Sequence, residues 1–244
     1  MASSTTESYL QLLGLAVHEF RTPASVVGGY LRMLQRDAAG ELNDRQRKMI
    51  DEAEKSCARL VTLIAEMSDV AKLDSGAIAL ARQPVDIFAL VSDVAEHVQE
   101  ARDREVRLEV RGEDGAAHVN GDATRLRAAF DAVFRAVLRE KGGPCVVVAE
   151  RRRETQNGKG AAVVVVSDAA TVQAAYERDR GVFDEKRGGM GLALPLARRV
   201  IEGHGGRIAA PAPIPGPEAG PTHDLLAADP VSRGSAIITL PLTE

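Results

Sequence analysis

Two stretches near the start of the chain carry their apolar residues at helical spacing. The first covers residues 10–34 and is followed by helix breakers at residues 37–40, Asp-Ala-Ala-Gly. The second begins at Asn43, a residue type that caps helices, and its apolar residues recur at steps of seven, three and four. These residues are Ile50, Cys57, Leu60, Ile64, Met67 and Ala71. The pattern predicts a hairpin of two long helices, with a heptad seam along the second.

The apolar faces of helices of this length cannot be buried within one hairpin. About 30 helical residues extend roughly 45 Å, which is too long to be buried by a single partner helix in a small monomer. We therefore predict a homodimer in which two antiparallel hairpins form a four-helix bundle. An ordinary hairpin that packs on the rest of the chain is the alternative that this pattern leaves open.

The pattern changes near residues 74–76, Asp-Ser-Gly, beyond which strand-like and helical runs alternate. We place a domain boundary there and expect one domain at residues 1–76 and another at 77–244. The turn-forming residues 157–160, Asn-Gly-Lys-Gly, predict a hairpin between two apolar strands. A short strand is predicted to begin at residue 85, and further strands are predicted at residues 106–110, 146–148, 161–167 and 236–240. The predicted helices cover residues 87–104, 124–139 and 192–202. Helices interleaved with a mixed sheet predict an α+β sandwich.

Residues 210–234 are rich in proline and glycine. This stretch is longer than most ordered loops of compact domains. We expect it to be a mobile excursion from the second domain.

The composition is typical of a soluble protein. Of the 244 residues, 45% are hydrophobic and 27% charged, and the formal net charge of -4 leaves no basic excess for nucleic acid. No apolar stretch approaches the roughly 18 to 20 residues that span a bilayer, and residues 1–6 lack the apolar core of a signal peptide. Cys57 and Cys145 fall in different predicted domains without metal-ligand spacing, so we expect buried, reduced thiols and a cytoplasmic location.

Residues 18–23, His-Glu-Phe-Arg-Thr-Pro, lie in the first predicted helix. An imidazole ordinarily titrates near physiological pH, so a neutral ring nitrogen of a histidine can attack a phosphoryl group. Glu19 does not share a helical face with His18, so it would act on the other ring nitrogen or approach from a neighbouring subunit. Pro23 offers no N–H to the carbonyl of Glu19, and we expect the helix to bend there. A solvated histidine without a chemical role is the alternative for His18 taken alone.

At every position this hexapeptide resembles the H box of bacterial sensor histidine kinases, which lies on the first helix of such a hairpin. The resemblance implies that His18 is the phosphoacceptor, Glu19 the acid/base and Arg21 a charged neighbour of the transfer site. Thr22 would position water when a bound response regulator is dephosphorylated. The implied partners are a second copy of the chain and a response-regulator receiver domain. An input domain and any membrane anchor would lie upstream of Tyr9.

The resemblance extends over the second domain, which in this family binds ATP and Mg²⁺ in an α+β sandwich shared with gyrase and the Hsp90 chaperones. It implies that Asp168 accepts a hydrogen bond from the adenine amino group. Gly189 and Gly191 belong to a glycine box at the start of a helix, where backbone N–H groups meet the phosphates. Arg139 stands where a lysine or arginine is usual, and residues 204–208 match the turn that follows the glycine-box helix.

Several positions depart from the nucleotide site of the family. The family has two asparagines spaced four residues apart, and Ala132 and Ala136 stand at these positions here. The second asparagine normally binds Mg²⁺ through its amide oxygen, which the methyl group of an alanine cannot replace. The family has glycines two and four residues after the adenine-binding carboxylate, but these positions hold Ala170 and Val172 here. Glycine is needed where the backbone approaches a ligand. Ala193 replaces the last glycine of the box. ATP and Mg²⁺ are therefore expected from the family alone, and no residue is assigned as a metal ligand.

These observations leave three functions open. The chain is an autokinase that passes phosphate from His18 to a response-regulator aspartate; or a phosphotransfer protein or regulator phosphatase that has lost ATP; or a pseudokinase that only binds a regulator or kinase. Membership of the family favours the first function. The missing Mg²⁺ ligand and the altered glycines favour the other two, because phosphoryl transfer from ATP needs metal and backbone donors to stabilise charge.

Overall fold

The computed structural model of the chain describes residues 2–36, 40, 42–156, 158–214 and 229–243. The chain divides into two compact units, Met1–Ala79 and Leu80–Glu244, whereas the pattern of the sequence placed the boundary after residue 76. Two long helices form the first unit, and helices with two sheets form the second. This order of a helical hairpin and an α+β unit confirms the predicted fold class.

The first unit consists of helix α1 (Ala2–Gln35) and helix α2 (Asp44–Asp74). Helix α1 begins before residue 10, the predicted start. The pattern missed this first part because residues 2–9 are mostly polar and show no apolar period. Helix α2 starts with a capping box at the predicted residue. The side chain of Asn43 accepts a hydrogen bond from the Gln46 N–H at 2.9 Å, and Gln46 Oε1 accepts one from the Asn43 N–H at 3.0 Å.

The two helices share a small core. Val17 and Ala24 of α1 pack with Ile64 of α2, and the partly buried Met67 covers them. Cys57 is also buried, and its thiol donates a hydrogen bond to the carbonyl oxygen of Ala24 at 3.2 Å. The buried seam positions are thus spaced by seven residues, as the heptad pattern predicts. Another seam residue, Leu60, remains 49% exposed in the single chain.

The second unit alternates strands and helices along the chain. Its elements are β1 (Gln83–Asp86), α3 (Ile87–His97), β2 (Val106–Gly112), β3 (His118–Gly121), α4 (Ala123–Arg139), β4 (Cys145–Gln156), β5 (Lys159–Asp168), α5 (Val172–Glu177), β6 (Arg180–Gly181), α6 (Ala193–Gly203), β7 (Arg207–Pro211), α7 (Pro230–Arg233) and β8 (Ala236–Pro241). Short 3₁₀ turns cover Arg102–Arg104 and Arg187–Gly189.

The strands form a two-stranded sheet, β1-β3, and a six-stranded sheet in the order β2-β4-β5-β8-β7-β6. Only the β2-β4 pair among these neighbours is parallel. The predicted hairpin connects β4 and β5, whose register extends from Val147 opposite Asp168 to Gln156 opposite Lys159. Strand β5 lies between β4 and β8, and Asp168 at its carboxyl end is opposite Val147 of β4, whereas the pairing with β8 ends at Val166.

The sheet is covered by helices on both faces. Helix α4 carries the fully buried Phe130 and Phe134 and packs against α3 and α6. On the face of Val163 and Val165, the small helix α5 contributes the buried Ala175. Residues 163–166 of β5 are all buried, as expected for a central strand covered on both sides. The layers therefore form one apolar core around β5.

Carboxylate caps fix the starts of two of these helices. Asp86 Oδ1 accepts hydrogen bonds from the N–H groups of Phe88 and Ala89, at 3.0 and 3.3 Å, and from that of Ala117 at 3.1 Å. Burial opposes the charge of Asp86, but these three N–H donors outweigh it and lower the pKa of the carboxyl group. Asp122 caps α4 in the same way.

Some predicted boundaries were wrong. The helix predicted over residues 87–104 ends at His97, because Val98 is extended and Ala101 and Glu105 have left-handed backbone conformations. These conformations turn the chain back into β2 and bury Ala101. The sequence pattern also missed β3, β6, β7, α5 and α7, which are short and lack a clear apolar period.

The mobile excursion predicted over residues 210–234 falls largely on residues 215–228, which lie outside the described part of the chain. At its ends, Pro211 belongs to β7, and Pro230–Arg233 form the short helix α7. The Asp229 side chain joins the two ends, since Oδ2 accepts a hydrogen bond from the Ile214 N–H at 2.9 Å. Both described ends of the predicted excursion therefore include residues of regular secondary structure.

Cys145 is only half-buried, which corrects the prediction of two buried thiols, whereas Cys57 is buried as predicted. Burial, reinforced by the nearby Asp168 carboxylate, raises the pKa of the Cys145 thiol. Within the described ranges, none of the helices combines the length and apolar character needed to cross a membrane.

Candidate functional site

The side chain of His18 lies on the surface of α1 and is 77% exposed. Its Nδ1 atom is 3.5 Å from Oε1 of Glu19, the next residue. A carboxylate at this side of the ring favours the proton on Nδ1, which leaves Nε2 with a free lone pair. The Glu19 carboxylate thus lies near one ring nitrogen within the same chain, and its role as the acid/base stays a prediction.

The neighbours of His18 along α1 separate into a buried and an exposed face. Val17 and Ala24 are buried against α2, whereas Arg21 and Thr22 are exposed. Thr22 follows His18 by four residues and so lies one turn further on the same face. The predicted phosphoacceptor and the predicted water-positioning hydroxyl are therefore on one accessible surface.

Pro23 lies inside α1, which continues to Gln35. Its ring nitrogen carries no hydrogen, so the carbonyl of Glu19 lacks its ordinary intrahelical donor. The bend expected at this position stays a prediction.

In the second unit, Asp168 ends β5 and forms an ion pair with Lys141. Lys141 Nζ is 2.7 Å from Asp168 Oδ2 and donates a second hydrogen bond to the Gly234 carbonyl at 3.2 Å. The lysine side chain is 9% exposed and that of Asp168 is 35% exposed. The carboxylate predicted to bind adenine is thus already neutralised within the chain.

The glycine box adopts backbone conformations that require glycine. Gly188, Gly189 and Gly191 have φ values of 64°, 60° and 65°. A Cβ atom added to Gly188 would lie 2.9 Å from the Cα atom of Ala136, so the loop packs directly on α4. Ala136 is fully buried as a result. The backbone of the glycine box therefore covers Ala136, the residue predicted to replace the Mg²⁺ ligand of the family.

Arg139 is tied to this loop. Its Nη1 lies 3.5 Å from the Gly188 carbonyl oxygen, and its Nε is 3.1 Å from Glu100 Oε1. Arg139 and Gly188 line a common cavity of about 530 Å³. Asp168, Gly189 and Gly191 are not among the described residues that line this cavity.

Comparison with known proteins gives the same assignment as the histidine motif. Residues 9–76 match the His Kinase A (phospho-acceptor) domain. The sensor protein CutS of Streptomyces coelicolor is 32% identical over 212 residues, which cover 82% of this chain and 49% of CutS. The sensor protein DivL of Caulobacter vibrioides is 28% identical over 204 residues, covering 81% of this chain and 25% of DivL. The chain belongs to the bacterial sensor histidine kinase family.

This histidine kinase chain spans between a quarter and a half of these curated relatives. Among solved structures, full-length ShkA in complex with AMPPNP matches 95% of this chain and 45% of its own, with a TM-score of 0.64 and 22% identity. The histidine kinase AdeS of Acinetobacter baumannii matches 93% of this chain and 97% of its own, with a TM-score of 0.54 and 15% identity. At these identities the likeness supports the fold, which is that of histidine kinases.

ATP and Mg²⁺ fit the nucleotide region of this histidine kinase poorly. The methyl group of Ala136 cannot coordinate a metal ion. At the adenine end, Asp168 Oδ2 is taken by Lys141. Only the glycine box, with Gly189 free of close neighbours, keeps a geometry suited to phosphate groups.

The sequence pattern did not identify two residues that shape this region. Lys141 follows α4 and is 27 residues from Asp168, a separation that no local motif marks. Arg187 precedes the glycine box and is buried, with Nη1 donating to the Ser235 carbonyl at 2.7 Å and Nη2 to Glu140 Oε2 at 2.6 Å. A lysine and an arginine usually lie on the surface, so no sequence signal indicates that these two are buried.

Proposed function

We propose that this chain is a histidine phosphotransfer protein that exchanges phosphoryl groups between His18 and the aspartate of a response-regulator receiver domain. The observation that carries the proposal is the exposed imidazole of His18 with the Glu19 carboxylate beside Nδ1. An exposed ring can enter the site of a partner protein. A ring whose proton is held on Nδ1 presents Nε2 as the nucleophile.

In the proposed step, Nε2 of His18 attacks the phosphorus of a receiver aspartyl phosphate. The P–N bond forms as the P–O bond to the aspartate breaks, and the aspartate leaves as a carboxylate. The Nδ1 proton stays next to Glu19, which offsets the positive charge that develops on the ring. Transfer in the reverse direction follows the same path, so His18 can load or unload a regulator.

We infer that ATP is a poor donor for this chain. The support is the site itself, where Ala136 offers no Mg²⁺ ligand and Lys141 occupies the Asp168 carboxylate. Without the metal, little remains to neutralise the charge of a transferring γ-phosphoryl group. The second candidate function is an ATP-dependent autokinase. Family membership and the retained conformation of the glycine box favour it.

A third activity, dephosphorylation of the regulator, is favoured by the position of Thr22. Its hydroxyl lies one helical turn from His18 on the exposed face and is free to orient a water molecule. We propose that Thr22→Ala lowers this hydrolysis while phosphoryl exchange through His18 continues.

The test uses receiver domains from the genome that encodes this chain, each loaded with ³²P from acetyl phosphate. We expect at least one of them to label the unaltered chain, and His18→Gln to abolish the label. The matched control is His97→Gln, which removes another exposed helical histidine and leaves labelling intact. Label that survives in His18→Gln would refute the assignment of the phosphoacceptor.

A parallel incubation with ³²P-labelled ATP and Mg²⁺ separates the two candidate functions. Slow or absent labelling from ATP, beside labelling from a receiver domain, supports the phosphotransfer protein. Rapid, Mg²⁺-dependent labelling of His18 from ATP would make the autokinase the function of this chain.

A further inference from the structure

Strand β2 lies at one edge of the six-stranded sheet. Its neighbour in the described part of the chain is β4, with which it pairs from Val106 opposite Cys145 to Gly112 opposite Arg151. An edge strand presents backbone N–H and C=O groups that no neighbouring strand has paired. Such a row of groups can bind another extended segment, which then adds a strand to the sheet.

One hydrogen bond at the end of β2 shows which backbone groups face the open edge. The Glu113 N–H donates to the Arg151 carbonyl oxygen of β4 at 2.9 Å. The backbone groups of successive residues in a strand point to alternate sides, so residues 107, 109 and 111 bond to β4 and residues 106, 108 and 110 face the edge. The Val106 N–H already donates to the Ala101 carbonyl oxygen at 3.2 Å. Within the described residues, the N–H groups at positions 108 and 110 therefore remain available to a further strand.

The side chains of β2 alternate in charge along one face. Arg107, Glu109 and Arg111 share this face because they are two residues apart, and Nη2 of Arg111 is 2.6 Å from Glu109 Oε2. The side chains of Arg111 and Glu109 are 51% and 43% exposed, so this ion pair is weak and leaves both groups accessible to a partner. The other face carries Val106, which is buried, and the half-buried Leu108.

This pattern is complementary to itself when two β2 strands run antiparallel with Leu108 at the two-fold axis. Arg107 of each copy then lies opposite Glu109 of the other copy, and residues directly opposite each other share one face of the joined sheet. Two hydrogen bonds would join the Leu108 residues, and each Val110 N–H would donate to the Val106 carbonyl of the other copy. The Val106 N–H keeps its bond within its own chain. One register thus pairs both the available backbone groups and the charges.

Neighbouring registers are less favourable, and they differ by two residues because a slip of one residue would reverse the faces. With Arg107 or Glu109 at the axis, side chains of like charge would lie directly opposite each other, which is destabilising. With Val110 at the axis, Leu108 would have to pair with Gly112, whose φ of 97° interrupts the extended backbone. Charge and backbone geometry therefore both favour the axis at Leu108.

We propose that β2 pairs with β2 of a second copy of this chain, so that two second units share one continuous sheet. The contact involves neither His18 nor the glycine box, and it goes beyond the proposed phosphotransfer function. It is also distinct from the predicted pairing of the hairpins. Because a single pair of strands buries little surface, we expect weak association. A dimer joined through its hairpins carries two such edges, so this contact would link dimers into larger assemblies.

The test is sedimentation equilibrium of the full chain at about 1 µM and at about 500 µM, a range that covers weak association. Each chain is compared with its own mass at the lower concentration, so the result does not depend on pairing of the hairpins. We expect the mass of the unaltered chain to rise about twofold or more. Hydrogen exchange at the Leu108 and Val110 amides should slow at the higher concentration, whereas exchange at the Glu109 amide, which faces β4, should stay unchanged.

Two charge reversals test the register. Arg107→Glu places carboxylates opposite each other, Glu109→Arg places guanidinium groups opposite each other, and each should weaken self-association about tenfold or more. An equal mixture of the two variants should associate like the unaltered chain, because every carboxylate then faces a guanidinium group. The matched control is Arg207→Glu, which makes the same change of charge at an exposed residue of β7, inside the sheet, and should leave association unchanged.

Three outcomes would overturn the proposal. The first is a mass that stays constant between the two concentrations, and the second is association that both reversals leave intact. The third is a mixture that associates no better than either variant alone. Restored association in the mixture also shows that both variants are folded, so the losses seen in the separate variants arise from the contact itself.

Discussion

A single ion pair occupies one oxygen of the carboxylate that is predicted to bind adenine. Asp168 stands at the position that the family motif indicates, but Lys141 holds its Oδ2 atom at 2.7 Å. Binding adenine through Oδ2 would displace Lys141 and leave its buried ammonium group with fewer partners, which is unfavourable. The role of a motif residue therefore depends on partners that are distant in the sequence.

This argument predicts the effect of Lys141→Met. The variant removes the ammonium group and frees Asp168 Oδ2, so adenosine should bind roughly tenfold or more tightly than to the unaltered chain. The chain should also lose about 1 to 3 kcal/mol of unfolding free energy, since Asp168 is partly exposed to water. Calorimetry with adenosine and urea denaturation measure the two effects.

Lys159→Met, which removes an exposed lysine, is the matched control and should change neither adenosine affinity nor stability. The double variant Lys141→Met with Asp168→Asn should lose the gained affinity. If Lys141→Met binds adenosine no better than the unaltered chain, the ion pair is not what blocks the site.

At the scale of the elements, the sequence predicted best where periodicity or capping chemistry is strong. Asn43 marked the start of α2, and residues 157–160 marked the β4-β5 hairpin. Periodicity could not locate α5 or β6, because six and two residues are too few to show a period. It also could not show that the loop at Gly188 packs on Ala136, since that contact depends on how the whole sheet and its helices assemble.

The buried His204 connects the end of α6 to the start of α4. The Asp122 N–H donates a hydrogen bond to Nε2 of His204 at 2.9 Å, and Nδ1 of His204 is 2.6 Å from the Val200 carbonyl oxygen. The ring is therefore neutral, with its proton on Nδ1. Gly121 allows this approach, because a Cβ atom there would lie 2.8 Å from the ring. Burial, reinforced by the charge of Arg82, lowers the pKa of His204 below 6.5.

The lowered pKa predicts a loss of stability in mild acid. The unfolded chain takes up the proton first, so the contribution of His204 is complete above pH 6.5 and declines as the pH falls below this value. We expect the unfolding free energy to fall by up to about 1.4 kcal/mol per pH unit in this window. Urea denaturation at pH 7.5, 6.5 and 5.5 gives the slope. Carboxylates such as Asp86 change the stability only at lower pH, because the ordinary pKa of 3.8 is lowered further in the folded chain.

In His204→Gln this slope should disappear between pH 7.5 and 5.5, although the variant is less stable overall. His97→Gln, at an exposed histidine, should keep the slope of the unaltered chain. Equal slopes in His204→Gln and the unaltered chain would assign the pH dependence to other groups.

At the scale of the whole molecule, the first unit leaves much apolar surface uncovered. Its core contains Val17, Ala24 and Ile64, with Met67 partly buried. The large apolar side chains that remain exposed on the hairpin are Leu15, Phe20, Val26, Val27, Tyr30, Met33, Met49, Leu60 and Val61. Complete burial of each of these side chains would stabilise the protein by roughly 1.5 to 3 kcal/mol, but one isolated hairpin cannot bury them. The heptad pattern of α2 indicates that a second hairpin packs against them.

We therefore predict that the chain forms a homodimer through its hairpins. Val26, Tyr30 and Met33 follow one another by four and three residues and share one face of α1. Light scattering at micromolar concentration should give twice the chain mass of 26.0 kDa. Tyr30→Glu places a charge on this face and should give the single-chain mass, because an unpaired buried carboxylate is costly. The matched control is Ile214→Glu, at an exposed apolar residue of the second unit, which should remain dimeric. A single-chain mass for the unaltered protein would exclude the four-helix bundle, and a dimeric Tyr30→Glu would place the interface on another face of the hairpin.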